Sequence, residues 1–180
     1  MDDCWITARR AKRYMSDDRK IIVLTGASRG IGHATVKRFS MEGWRVITCS
    51  RYGFPENCPW EAGPEDHLQI DLESQEDVMR GAGELLERLD GKPLHALVNN
   101  AGISPKSNDG TRLDSLTTPM TAWQQVFQVN VFAPIMMTKA FVEPLQRGKG
   151  AVVNVTSIAG SRVHDFAGSA YATSTAALGA

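Results

Sequence analysis

Three glycines, Gly26, Gly30 and Gly32, sit between an apolar run and an amphipathic one. The run before them, Lys20-Ile21-Ile22-Val23-Leu24-Thr25, has the length and β-branching of a buried strand. The run after them, His33-Ala34-Thr35-Val36-Lys37-Arg38-Phe39, has helical apolar spacing. Gly26 allows a turn closed to most side chains, Gly30 lets backbone approach a phosphate, and Gly32 lets the helix pack closely on the strand. The N–H groups and positive dipole end of that helix then face an anion. Glycines at this spacing also fit an ordinary βα turn; the strand before and the helix after turn the motif into a nucleotide-binding hypothesis. Arg51, Asp71, the run Asn99 to Gly102, and Ser157 each follow a further apolar segment. In a parallel sheet such positions lie beyond the carboxyl ends of the strands, where ligands bind, so together they point to a dinucleotide site.

The elements that must hold these residues follow in order. Trp44 to Arg51 is a second strand, and Tyr52 to Asp66, rich in proline and glycine, is a loop. His67 to Asp71 is a third strand. Ser74 caps a helix to about Leu89, with Glu76 and Asp77 in its first turn and Asp90-Gly91 at its end. Leu94 to Val98 is a fourth strand, followed by a polar loop from Ile103 to Met120. A long helix from about Thr121 to Gln146 is expected to kink or break near Pro134. Gly150 to Val155 is a fifth strand, and a last helix starts near Tyr171. Strands alternating with helices predict an α/β, Rossmann-like, doubly wound parallel sheet in three αβα layers. Residues 20–180 form that domain, and residues 1–19 are expected to be a disordered, basic extension, with Met15 an alternative start to Met1.

Composition narrows the classes. Of 180 residues, 42% are hydrophobic and 22% charged, and twenty basic residues balance twenty acidic ones. Such balance offers nothing to nucleic acid or to an anionic membrane. Cys4, Cys49 and Cys58 form no C-x-x-C pair, which argues against a disulfide framework or a structural zinc site, and no metal site is expected. No apolar run approaches the roughly 20 residues of a membrane span. The expectation is a soluble, cytoplasmic protein.

Five motifs in one order carry a resemblance to a known family: Thr25-Gly26-Ala27-Ser28-Arg29-Gly30-Ile31-Gly32, Asn99-Asn100-Ala101-Gly102, Asn130, Ser157 and Tyr171. From about Lys20 onward the chain resembles a short-chain dehydrogenase/reductase. The resemblance implies an oxidoreductase that moves a hydride between a nicotinamide cofactor and a small carbonyl or alcohol substrate. It implies cofactor contacts from Gly26, Ser28, Arg29, Gly30, Ile31 and Gly32, with Asp71 and Leu72 beside the adenine. Asn100, Ala101 and Gly102 would line the adenosine ribose, and Tyr171 would touch the cofactor as well as the substrate. Tyr171 would be the proton donor, Ser157 would hydrogen-bond the carbonyl oxygen, and Asn130 would hold a helix irregularity and a water in the proton relay. Cofactor choice has a separate local argument. A carboxylate at the end of the second strand would bind both ribose hydroxyls, but here Ser50-Arg51 stands there, with Arg29 in the glycine loop. Two guanidinium forks suit a 2′-phosphate, which predicts NADP(H) over NAD(H).

Two departures from the family pattern matter. The family's lysine, one helical turn after the tyrosine, is Thr175 here, and a cation about 4 Å away would be worth roughly 4 kcal/mol to a phenolate at an effective dielectric of about 20. The alternative reading is therefore a nucleotide-binding homologue impaired in proton transfer, since Lys139 falls on a different helix. The interval from Ser157 to Tyr171 is one residue longer than is common, with His164 read as a solvated loop residue. The second departure is the end at Ala180, where the family continues through further strands. The fifth strand is then expected to be an exposed edge. The resemblance also implies a homo-oligomer, partly through the last helix, so its cut end leaves oligomerisation open.

Overall fold

Ile21, Ile22, Val23 and Leu24 are all but fully buried, and they make the central strand of the molecule. The computed structural model describes residues 18–53 and 64–180, so the expected N-terminal extension falls largely, and the loop after the second strand partly, outside the described residues. Five strands, β1 (Ile21–Thr25), β2 (Arg45–Ser50), β3 (His67–Gln69), β4 (Ala96–Asn99) and β5 (Ala151–Asn154), form one sheet in the order β3-β2-β1-β4-β5. Every pairing is parallel, with Val23 level with Ile47 on one side and Leu97 on the other. The order reverses at β1, so the crevice beyond Thr25 and Asn99 is the topological switch point.

Because side chains alternate across a strand, a continuously apolar strand needs cover on both faces. Ile21, Val23, Ile47, Cys49 and Leu97 face one way. They meet Val78, Ala82, Leu85 and Leu89 of α2 (Gln75–Leu89) and Met137, Phe141 and Leu145 of α4 (Ala133–Gly148). Ile22, Leu24, Val46, Ala96 and Val98 face the other way, against Val36 of α1 (Gly30–Met41). Each fully buried Leu or Phe in these layers contributes about 1.5–3 kcal/mol relative to exposure. The expected three-layer αβα architecture is the one observed. At the edge, β5 is exposed along its length, with Val152 and Val153 39% and 47% exposed.

Local signals explain the helix ends. The Ser74 hydroxyl accepts the Asp77 N–H at 3.2 Å, and α2 stops where Asp90 turns left-handed at φ 49°. The expected helix from Thr121 to Gln146 is instead two helices, α3 (Met120–Phe127) and α4, joined by a π-helical turn over Gln128–Phe132. Pro134 lies in the first turn of α4, directly after the π turn, so the break expected near it is present; a proline has no N–H to pair with the carbonyl four residues back, at Asn130. The last helix, α5 (Ser169–Gly179), begins two residues before Tyr171. Among the described residues no helix is long and apolar enough to cross a membrane.

Candidate active site

The glycine loop is shaped by three close approaches. Gly26, at φ 69°, turns the chain off β1 while its N–H donates to the Cys49 carbonyl at 2.9 Å. A Cβ on Gly26 would lie 2.7 Å from the Ala101 Cα, and one on Gly32 would lie 2.1 Å from the Gly26 carbonyl oxygen. The back of the loop is thus pressed against α1 and the segment after β4. Its front is open: Gly30, at φ 57°, would carry a Cβ with nothing within 4 Å. Arg29 caps α1 with extended backbone and an exposed side chain.

Asn100 stitches the two strand ends together. Its side-chain amide donates to the carbonyls of Thr25 and Gly26 at 3.1 and 3.0 Å. The Thr25 hydroxyl accepts the backbone N–H groups of Asn100 and Ala101, both at 3.1 Å. Thr25 is thus a positioning residue that was not singled out as such from the sequence, although a threonine closing an apolar strand was its visible signal.

Arg51, at the end of β2, is only half free. Its guanidinium pairs with the Glu73 carboxylate at 3.2 Å and lies over the Tyr52 ring, 5.5 Å from its centroid. Asp71 does not point a free carboxylate at the site: one oxygen accepts the Glu73 N–H at 3.0 Å, fixing the turn into α2. The Asp77 carboxyl is held below its ordinary range by a hydrogen bond from Arg80 and by the Asp71 N–H. Gln128 was also missed. It is buried in the π turn, donates to the Leu72 carbonyl at 3.3 Å and accepts from Gln75 at 3.1 Å.

At the opposite end of the crevice Asn130 occupies the middle of the π turn, 3% exposed. Its side-chain oxygen accepts the Ile103 N–H at 2.9 Å, and its amide donates to the Ile103 carbonyl and to the Ser174 hydroxyl, each at 3.0 Å. Ser174 in turn donates to the Tyr171 carbonyl at 2.8 Å. This chain of bonds ties α5, and Tyr171 near its start, to the loop after β4. Thr175 is buried beside it, its hydroxyl reaching back to the carbonyls of Tyr171 and Ala172 at 3.1 and 3.0 Å. Ser157 caps the short turn Ile158–Gly160, accepting the Ala159 N–H at 3.2 Å, so its own proton is not used in that bond. His164 lies partly exposed in its loop, outside the cavity lining, and its backbone carbonyl accepts from Arg112 at 3.3 Å.

One cavity of about 580 Å³ runs between these ends. Its wall includes Gly26, Ser28, Arg29, Gly30, Ile31, Arg51, Asp71, Leu72, Asn100, Ala101, Gly102, Asn130, Tyr171 and Thr175. Of the residues singled out from the sequence, Gly32 and Ser157 lie outside that lining: Gly32 behind the loop, Ser157 one residue beyond Thr156, which does line it. Cys49 also borders the cavity, but burial pushes its thiol up to about 12, which keeps it protonated and unreactive. Among the described residues no group of three or more His, Cys, Asp or Glu could hold a metal ion.

A family model described as short chain dehydrogenase matches residues 20–180. The chain belongs to that family. It is 58% identical over 160 residues to Protein FixR of Bradyrhizobium diazoefficiens, covering 88% of this chain and 58% of that protein. It is 33% identical over 166 residues to an NADPH-dependent 1-acyldihydroxyacetone phosphate reductase of Saccharomyces cerevisiae, covering 91% of this chain and 54% of that protein. The chain thus spans less than two thirds of the length of either curated relative. Among solved structures, an oxidoreductase of the short-chain dehydrogenase/reductase family from Brucella ovis, in complex with a partially ordered NAD, superposes with a TM-score of 0.86. It is 64% identical, over 89% of this chain and 73% of that one.

Proposed function

We propose that the protein is an NADP(H)-dependent oxidoreductase acting on a small carbonyl or alcohol substrate. The observation that carries this reading is one continuous cavity with an anion cradle at one end and Asn130 and Tyr171 on the wall at the other. The donor set suits a nicotinamide dinucleotide. The start of α1 and the open face of Gly30 would hold the pyrophosphate, Asn100, Ala101 and Gly102 the adenosine ribose, and Asp71 and Leu72 the adenine. When bound, the nicotinamide supplies or accepts the hydride.

The chain's own residues do the rest. The Tyr171 hydroxyl gives the proton to the substrate oxygen in reduction and takes it in oxidation. Ser157 donates its unused proton to the same oxygen and steadies charge developing there. Asn130 holds α5 against the loop after β4 through Ser174, which keeps Tyr171 on the cavity wall, and the π turn around it frees helix carbonyl groups to hold a relay water. Arg51 and Arg29 favour a 2′-phosphate and hence NADP(H). The yeast relative is NADPH-dependent, which supports a phosphate-bearing cofactor, whereas the Brucella relative is in complex with a partially ordered NAD.

The compartment we propose is cytoplasmic, where the free, buried Cys49 stays reduced. Self-association is supported by Phe132, Ile135 and Val142, which lie 46%, 43% and 46% exposed on or beside α4.

The test is a titration of the purified chain with NADPH and, separately, NADH, followed by tryptophan fluorescence. Saturable binding with NADPH tighter supports the reading. Tighter NADH overturns the cofactor preference, and no binding of either overturns the nucleotide site.

A further inference from the structure

Glu73, the ion-pair partner of Arg51, lies on the cavity wall with Asp71 and Leu72. Its carboxylate, 29% exposed, is 3.2 Å from the Arg51 guanidinium. The position is imposed from two sides. The Glu73 N–H donates to Asp71 at 3.0 Å, which sets the turn before α2, and the Arg51 carbonyl accepts from Gln69 at 3.0 Å, which sets the turn after β2. The two turns therefore hold the acid and the base face to face at the mouth of the cavity.

We infer that Glu73 is the specificity-determining residue that sets how strongly this site separates NADP(H) from NAD(H). This rests on the reading that the cavity takes a nicotinamide dinucleotide. A 2′-phosphate carries between one and two negative charges near neutral pH. It needs the Arg51 fork, and it finds that fork already engaged by a carboxylate that also repels it. A ribose with a free 2′-hydroxyl brings no such charge, and its O–H can donate to the Glu73 carboxylate. One acidic side chain thus opposes one cofactor and accommodates the other. The Tyr52 ring lies 5.5 Å from the guanidinium carbon, a cation–π contact that favours the position Arg51 holds beside Glu73.

Glu73→Gln removes the charge and keeps the side chain's shape. Dissociation constants for NADPH and NADH, measured by fluorescence on the wild type and the variant, test the inference. The variant should bind NADPH about tenfold tighter, with NADH unchanged or weaker, and the gain should vanish in the Arg51→Gln background. Thermal unfolding of each variant shows that the chain remains folded. A ratio of the two constants that stays within about twofold of wild type in a folded Glu73→Gln chain overturns the inference. A wild type that prefers NADH overturns only the proposed preference, since the shift on Glu73→Gln is still read. A wild type that binds neither cofactor overturns both.

Discussion

On the proposed function, turnover hinges on Thr175. It stands one helical turn beyond Tyr171 and donates only to helix carbonyls, so it brings no charge to the phenol. Lys139 sits exposed on α4 and does not line the cavity. A cation about 4 Å from a phenolate, at an effective dielectric of about 20, favours it by roughly 4 kcal/mol. Thr175→Lys, with its ammonium directed along the cavity that Thr175 lines, should raise kcat for carbonyl reduction about 100-fold. Steady-state assays over a panel of ketones, with Tyr171→Phe as the inactive control, check this. No gain in a variant that still binds cofactor would show that Tyr171 does not depend on a neighbouring charge.

The glycine loop and the helices around the crevice belong to a larger scale. Gly32 is where α1 crosses the loop, and its missing side chain is what lets the Gly26 carbonyl lie against the helix. Gly32→Ala should destabilise the fold by about 1–3 kcal/mol, because the added methyl forces α1 outward. Denaturant unfolding reads that loss, and an unchanged midpoint would mean the loop yields freely. Most elements at this scale were legible in the chain. The β-branched runs named β1 and β2, Ser74 named the start of α2, and Asp90-Gly91 its end. Between Met120 and Gly148 a break was legible at Pro134 and Asn130, but not its π form, because the apolar spacing is helical throughout. A π turn adds one residue to a turn without changing that spacing much, and here it is held by the tertiary bonds of Asn130 and Gln128.

Across the whole molecule, both faces of the sheet are covered around β1, β2 and β4, whereas Val152 and Val153 of β5 are exposed. An open, apolar edge offers unpaired N–H and C=O groups to any other strand. Residues 1–180 taken by themselves should therefore self-associate with rising concentration. Val153→Lys should suppress this without lowering the unfolding free energy by more than about 0.5 kcal/mol, as expected for an exposed site. Light scattering against concentration measures it, and equal association by both chains would place the contact elsewhere, with the exposed stripe on α4 the next surface to probe.

What the sequence alone determined was the local grammar: strand, glycine turn, helix, repeated in an order that only a doubly wound parallel sheet satisfies. Those signals are carried by residues within a few positions of each other, where backbone sterics and capping act directly. Tertiary structure alone decided which side chains meet. It paired Arg51 with Glu73, joined Asn130 to Ser174 across two helices, and set Gln128 against Leu72. These partners lie far apart along the chain, and no periodicity encodes them. They meet because the sheet brings the ends of its strands to one crevice, and there a buried polar group must find a partner.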